Sequence, residues 1–202
     1  MHNDIERILF FSVRLLFISI LFVGTLLSQT KTNLEVFYTL IDSSVSQFVF
    51  LSQPPSKINV EMNSGEVYSV FKNRLLGDLK EKHIETGNAK NDSLPLFSYT
   101  IEKPFTQYNN ISRDGFFGPF TVQRDISLKG NYFYSGSGKK DFNFSSRDTV
   151  KVDDIKNLEN ISLKFTNGTL PPEPLLTGLF EPIVALGTAA AAVILFFTVR
   201  SR

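Results

Sequence analysis

The stretch Phe120-Thr-Val-Gln-Arg-Asp-Ile-Ser-Leu-Lys-Gly-Asn-Tyr-Phe-Tyr134 carries the clearest strand pattern in the chain. Its even positions carry the apolar set, namely Phe120, Val122, Ile126, Leu128, Tyr132 and Tyr134. Its odd positions carry the polar set, namely Thr121, Gln123, Asp125, Ser127, Lys129 and Asn131. Because successive side chains of a strand point to opposite faces, this pattern predicts a long strand with one buried and one solvated face.

The residues that follow this strand predict a hairpin. Ser135-Gly-Ser-Gly138 is a flexible tip, and it leads to a return strand that carries Phe142 and Phe144. Gly130-Asn131 is a competing turn, which would instead split the long strand in two. A short helix at 153–158 and a last strand at 161–165 complete the domain.

The segment 96–105 predicts another strand of the same sheet. Its apolar residues fall on odd positions, and Phe105 is the last of them. Pro104 indicates an edge or a bulge, because proline cannot donate a backbone hydrogen bond to a neighbouring strand.

Two amphipathic helices precede the long strands, with one short strand between them. Thr32 and Glu35 have the spacing of a capping box, so a helix is predicted to begin there and to end near Phe50, before Pro54-Pro55. Its inward face is predicted to hold Leu34, Phe37, Leu40, Ile41, Val45 and Phe48.

A half-buried strand at 57–62 and a second cap at 63–66 follow the first helix. The second helix is predicted to end near Lys82. Its inward residues are predicted to be Val67, Val70, Phe71, Leu75 and Leu79, and its outward residues Lys72, Asp78, Lys80 and Glu81.

The chain ends in an uncharged stretch of 17 residues from Ile183 to Val199, followed by Arg200 and Arg202. We expect a transmembrane helix at 182–199, which would be about 25 Å long against a hydrocarbon core of about 30 Å. A proline-rich spacer at 170–181 precedes it, and residues 200–202 form a tail. Gly187 and Ala191 are small residues four positions apart, a spacing that lets membrane helices pack closely and also occurs in ordinary transmembrane composition.

The N-terminus has the features of a signal peptide at 1–28, because only Leu15–Leu27 is apolar without interruption. If Arg14 reaches the membrane surface, Ile8–Leu27 could instead remain as an uncleaved first span. In both cases the basic residues precede the apolar run, so the domain at 29–169 is predicted to lie outside the cytoplasm.

Composition narrows the class of protein. Between Gln29 and Glu181 the chain has 17 basic and 18 acidic residues, so this region is close to neutral. It lacks the excess of basic residues that a nucleic-acid-binding protein needs, and that class is excluded. The absence of cysteine favours a bacterial envelope over a disulfide-bonded secreted domain. We therefore predict a single-pass protein of the bacterial inner membrane, with its domain in the periplasm and its C-terminus in the cytoplasm.

No catalytic, cofactor or metal site is predicted. His83 is the one histidine after the N-terminal segment, and there is no cysteine for a thiol nucleophile or a metal ligand. The acids that could serve a carboxylate mechanism are expected on polar faces or in loops: Glu61, Glu66, Asp78, Glu102, Asp114 and Asp125. Phe116 and Phe117, in a glycine-rich loop, would contact a partner if exposed and cover the sheet if buried.

The element order predicts an α+β domain, with two amphipathic helices packed on a mainly antiparallel sheet, plus a C-terminal transmembrane helix. This order resembles the small periplasmic domains of bacterial envelope assembly, such as curli-secretion and flagellar-outer-membrane accessory proteins. No motif carries the resemblance, which implies an accessory role by analogy. We expect a non-enzymatic protein that binds or scaffolds another envelope protein, with the membrane helix as a surface for self-association. The alternatives are a membrane-tethered hydrolase that uses carboxylates and a ligand-sensing ectodomain.

Overall fold

The computed structural model describes residues 30–87, 93–113, 115, 118–172 and 177–200. The described residues form four α-helices and a five-stranded mixed sheet, which confirms the predicted α+β class. The helices are α1 (Asn33–Ser52), α2 (Val70–Glu81), α3 (Ile155–Leu158) and α4 (Thr177–Arg200). The strands are β1 (Lys57–Asn63), β2 (Glu85–Gly87), β3 (Leu96–Arg113), β4 (Phe120–Tyr134) and β5 (Gly138–Lys151). The predicted signal peptide or first span at 1–28 lies outside the described residues.

The sheet has the order β2-β1-β3-β4-β5. Strands β3, β4 and β5 are antiparallel neighbours, as predicted, whereas β1 is parallel to both β2 and β3. The parallel pairing follows from the crossover through α2, which returns the chain to the end of the sheet where β1 began. The sheet is therefore mixed, and its antiparallel part consists of the three longest strands.

The core lies between one face of the sheet and the helices α1 and α2. The capping box at the start of α1 is present, since the Thr32 backbone N–H donates to Glu35 Oε2 at 2.7 Å. This bond lowers the pKa of Glu35 below its ordinary value. On the inward face of α1, Phe48 stacks on Phe97 of β3 with ring centroids 4.0 Å apart. The predicted inward residues of α1 are buried, except that Leu34 is half-buried.

A bulge in β3 reverses the side-chain pattern that the sequence predicted. The pairing with β4 shifts between Ile101 and Lys103, so that one extra residue enters β3. Beyond the bulge the even positions Thr106 and Tyr108 are buried, while Phe105 is exposed. The bulge indicated by Pro104 is confirmed, and the inward prediction for Phe105 is wrong because an odd number of inserted residues exchanges the two faces.

Strand β4 continues through Gly130, so the competing turn at Gly130-Asn131 is not formed. A Cβ atom at position 130 would lie 2.3 Å from the carbonyl oxygen of Thr100 and 2.6 Å from Cζ of Phe142. Glycine is required here by the close packing of β3 and Phe142. The hairpin tip predicted at 135–138 is confirmed, with its turn at 135–137 and β5 beginning at Gly138.

Three local predictions are wrong. The second helix begins at Val70, after a 3₁₀ turn at Glu66–Tyr68, and its N-cap is Ser69, whose side chain makes no capping hydrogen bond. Val67 therefore lies before the helix and is exposed. Asp78 was predicted to face outward but is buried, because it lies one turn after Leu75 on the inward face. The predicted strand at 161–165 is instead a turn followed by a 3₁₀ helix at Lys164–Thr166.

A C-terminal helix is present, but its assignment as a transmembrane span is not supported by its length. Its apolar part, Pro182–Thr198, has 17 residues, and a span takes about 20. Among the described residues, the helix that is long and apolar enough to cross a membrane is α1. Because the inward face of α1 is buried in the core, this helix is explained by packing on the sheet.

Candidate functional site

The domain has two ends, which we call the base and the tip. At the base, Asn33 at the start of α1 contacts Tyr108 of β3 and the segment that ends in Thr166. At the tip, Ser52 Oγ at the end of α1 lies 3.0 Å from Ser137 Oγ in the β4–β5 hairpin. α1 is therefore aligned with the long strands and is about 30 Å long.

Arg124 of β4 is the centre of the base and is buried on the inner face of the sheet. Its Nε donates to Asp148 Oδ1 of β5 at 2.8 Å, and its Nη2 donates to Asp148 Oδ2. Its Nη1 donates to the carbonyl oxygen of Lys31 at 2.8 Å and to Asn33 Oδ1 at 2.7 Å. The guanidinium thus joins two strands to the residues that lead into α1.

Asn33 extends this network to the last part of the domain. Its Nδ2 donates to Tyr108 Oη at 2.8 Å and to the carbonyl oxygen of Thr166 at 2.6 Å. Burial raises the pKa of Tyr108 to about 12, which keeps the phenol protonated at neutral pH. Thr106 Oγ1 donates to the carbonyl oxygen of Phe165 at 2.8 Å, so β3 holds this segment at two points. Both chain ends of the domain consequently leave from the base.

A shallow pocket of about 440 Å³ opens at the base. It is lined by Thr32, Leu34, Lys156, Asn157, Leu158, Glu159, Asn160 and Ile161. Ile161 is 90% exposed beside the pocket. The lining combines apolar side chains with one lysine and one carboxylate. It can contact a partner, but it does not contain the two carboxylates that an acid–base mechanism would need.

Apolar residues are also exposed at the tip. Phe50 and Leu51 lie in the last turn of α1, and Phe50 is 79% exposed. Phe133, near the end of β4, is exposed on the face of the sheet opposite the helices. The two ends of the domain therefore both carry exposed apolar side chains, and only the base carries the chain ends.

The predicted contact residues Phe116 and Phe117 lie outside the described residues. Their neighbours Arg113 and Phe120 are paired at the base end of β3 and β4. Gly187 and Ala191, predicted to pack in the membrane, lie on α4. Ala191 is exposed, and apart from the helix's own nearby backbone no atom lies within 4 Å of a Cβ placed on Gly187.

The histidine and the acids that were weighed as possible catalytic groups are not brought together in the part of the chain that the structure describes. His83 is exposed and takes a left-handed backbone conformation with φ of 61° after α2. Among the acids, Glu61, Glu66 and Glu102 are exposed and Asp114 lies outside the described residues. Asp125 is bound by Arg147, which lowers the pKa of that carboxyl. Within the described part of the chain, no three His, Cys, Asp or Glu residues form a group that could hold a metal ion.

Asp78 is the acid in the least ordinary environment. It is buried on α2, and its Oδ1 lies 3.3 Å from Lys82 Nζ. Its Oδ2 has no hydrogen-bond partner among the described residues. Burial raises the pKa of Asp78, and the nearby Lys82 offsets this effect only in part. Asp42, the nearest acid on α1, is bound through both oxygens by Arg74, so the two acids do not form a catalytic pair.

Sequence reasoning missed the network at the base. The signal for Arg124 was its even position in β4, in phase with Val122 and Ile126, which places a charged side chain on the buried face. Asn33 gave no such signal, because it stands next to an ordinary helix cap and its partners are distant in the chain.

No protein-family model matches the sequence, and no curated protein matches it. The rare lipoprotein B from Shewanella oneidensis is similar in structure, with 12% identity over 68% of this chain and 98% of that chain and a TM-score of 0.34. A minor lipoprotein from Acinetobacter baumannii is similar with 7% identity over 66% of this chain and 94% of that chain, also with a TM-score of 0.34. With TM-scores this low, neither likeness says what this chain does.

Proposed function

We propose that this protein is a single-pass protein of the bacterial inner membrane whose periplasmic domain, residues 29–169, binds or scaffolds another envelope protein. The C-terminal helix α4 is its anchor, and the C-terminus lies in the cytoplasm. The domain has no catalytic role of its own. The observation that carries this proposal is the apolar surface that α4 exposes on all sides.

The apolar side chains of α4 are exposed and must be shielded from water by lipid or protein. Leu195, Phe196 and Phe197 are each more than 55% exposed. Because successive residues of an α-helix point about 100° apart, these three side chains lie on different sides of the helix. Exposed apolar surface costs about 25 cal/mol per Å² in water, and a helix that is apolar all round is normally buried in protein or lipid. A bilayer covers every side of the helix at once, whereas one partner protein covers a stripe.

The short length of α4 is compatible with this assignment. Its apolar part lacks about 5 Å of the hydrocarbon thickness, and bilayers adapt to such a mismatch by thinning at modest cost. The helix itself begins earlier, at Thr177, and it ends at Arg200, a residue suited to the cytoplasmic surface.

The arrangement of base and tip supports a binding role for the domain. An anchor that follows the base holds that end near the membrane and directs the tip, with Phe50 and Leu51, into the periplasm. The loop with Phe116 and Phe117 remains a second proposed contact. Gly187 and Ala191 offer a surface for self-association within the membrane.

Topology tests the proposal directly. Protease added to intact spheroplasts should digest the domain, while α4 should resist extraction by alkaline carbonate. Ile194→Lys should abolish that resistance, because a charge near the centre of the bilayer is costly, whereas the matched variant Ile194→Leu should keep it. Full protection of the domain until the cells are lysed would contradict the proposed orientation.

The N-terminus of the purified protein tests the predicted processing. Mass spectrometry should find a chain that begins at Gln29. Peptides that contain Ile8 to Arg14 would show that the first apolar segment is retained as a second span.

A further inference from the structure

We infer that the base of the domain is a lipid-contacting surface, with Ile161 as the side chain that enters the bilayer interface and Lys156 beside it. This inference rests on the proposed function, because it requires α4 to be in the membrane. It assigns a direct role in lipid binding to a part of the domain that would otherwise be a connection to the anchor.

Ile161 is held in its exposed position by ordered backbone. Asn160 Oδ1 accepts from the N–H of Ser162 at 3.0 Å, and the carbonyl oxygen of Asn160 accepts from the N–H of Leu163 at 2.9 Å. Thr166 Oγ1 accepts from the N–H of Asn160 at 3.0 Å. Three bonds therefore fix the turn that presents the isoleucine. Because Ile161 adjoins a pocket that Leu34 and Leu158 also line, it belongs to a contiguous apolar patch of the kind that marks an interaction surface.

The surroundings of Ile161 match the chemistry of a lipid surface. The pocket next to it has Leu34 and Leu158 among its apolar lining residues, and Lys156 is exposed at the same site. The carboxylate of Glu159 is already engaged, because its Oε1 accepts from the N–H of Gly168 at 2.8 Å. Apolar groups beside an ammonium group are suited to acyl chains beside anionic headgroups.

The covalent chain brings the base to the membrane. Eight residues lie between Gly168 and Thr177 at the start of α4, and the nine Cα–Cα steps span about 30 Å at most. The tip lies a further helix length away, about 30 Å along α1. With α4 in the bilayer, the base is the end of the domain that can reach the lipid.

Tethering makes a weak contact sufficient. One isoleucine and one lysine would not hold a free domain on a bilayer. A short tether, however, raises the effective concentration of the site to about the millimolar range, so that a weak contact is occupied much of the time. We therefore expect a contact that orients the domain without adding to its retention in the membrane.

Single-cysteine labelling tests the inference, because the natural chain has no cysteine to remove. Ile161→Cys and the control Phe50→Cys are made in the full chain, labelled with the same environment-sensitive fluorophore, and reconstituted in vesicles of phosphatidylethanolamine and phosphatidylglycerol. Both positions are highly exposed, so neither substitution removes core packing. Circular dichroism checks that both variants are folded.

The expected result is a blue-shifted emission at position 161 and a severalfold stronger quenching there than at position 50 when the vesicles contain lipid with a nitroxide near the headgroup. Equal quenching at the two positions, with α4 still resistant to carbonate, would overturn the inference and leave the anchor in place. A blue shift at 161 without lipid quenching would also overturn it, because protein would then cover the residue. Extraction of the chain by carbonate would refute the proposed anchor and the lipid contact with it.

Discussion

Asn33 and Thr166 lie 133 positions apart in the chain, and Asn33 Nδ2 donates to the carbonyl oxygen of Thr166 at 2.6 Å. This bond ties the first residue of α1 to the last helical turn of the domain. The same side chain also accepts from Arg124 through Oδ1. The two ends of the domain are thus joined through one buried amide, and loss of that amide leaves several buried polar groups without partners.

The first prediction is that Asn33→Ala lowers the free energy of unfolding by about 2 kcal/mol, because buried donors and acceptors lose their partners. The measurement is urea unfolding of the full chain in mild detergent, followed by tyrosine fluorescence. Asn63→Ala is the matched control, since Asn63 is exposed and its Nδ2 donates to Ser98 Oγ on the surface. Equal losses for the two variants would show that the network at the base contributes no particular stability.

The second prediction concerns coupling between Arg124 and Asn33. Arg124→Met removes four hydrogen bonds at a buried site. We expect it to lower the free energy of unfolding by about 3 kcal/mol. This value is at the low end for buried ion pairs because the partner Asp148 is partly exposed. Because the two side chains share a bond, the cost of Asn33→Ala should be smaller when position 124 is already Met.

The control for this cycle is Arg147→Met, which breaks an exposed ion pair with Asp125 and should change stability very little. A strictly additive Arg124–Asn33 double variant would mean that the guanidinium and the amide stabilise the fold independently.

The third prediction is that Asp78 makes the protein less stable as the pH rises. Burial raises the folded-state pKa of Asp78 above its ordinary value of 3.8, so the native state holds more protons than the unfolded state between the two values. The stability that depends on the protonated form is complete below pH 3.8 and is lost as the pH rises through the raised pKa.

Asp78→Asn should therefore gain stability relative to the natural chain as the pH increases from 4 towards neutral, measured by urea unfolding at several pH values. Glu61→Gln, at an exposed position on β1, is the control and should show no such trend. If the difference in free energy of unfolding between the natural chain and Asp78→Asn did not change with pH, burial would not be raising the pKa of Asp78 in the folded state.

How much of this molecule the sequence could predict depends on the range of the interactions involved. The bounds of α1 were predicted within about two residues, because a capping box and Pro54-Pro55 are local signals. The prediction that Phe105 of β3 faces inward was wrong, because the one-residue bulge that reverses the faces depends on pairing with β4. Arg124 was missed because its partners Asp148 and Asn33 are 24 and 91 positions away.

The fourth prediction tests the small residues of α4. Gly187→Leu should weaken self-association in the membrane without releasing the protein, because the change alters shape and keeps the surface apolar. Crosslinking in membranes measures the association, and carbonate extraction measures the anchoring. Val193→Leu enlarges a side chain on another face of the helix and should leave the crosslinks unchanged. If Gly187→Leu gave the same crosslinks as the natural chain, Gly187 and Ala191 would not form the self-association surface.

The fifth prediction contrasts Gly130, in a crowded part of strand β4, with Gly77, on the open side of helix α2. Gly130→Ala should lower the free energy of unfolding by about 2 kcal/mol, because its Cβ would lie 2.3 Å from the carbonyl oxygen of Thr100 and force β3 and β4 apart. Gly77→Ala should instead raise the free energy of unfolding by about 0.5–1 kcal/mol, because alanine loses less backbone entropy on folding. Position 77 is inside α2, and apart from the helix's own nearby backbone no atom lies within 4 Å of the added Cβ. Both values come from urea unfolding of the full chain. Similar effects for the two variants would mean that intrinsic helix and strand preferences decide the outcome. Opposite signs would establish that Gly130 is required by the close packing of Thr100 and Phe142 around this position of β4.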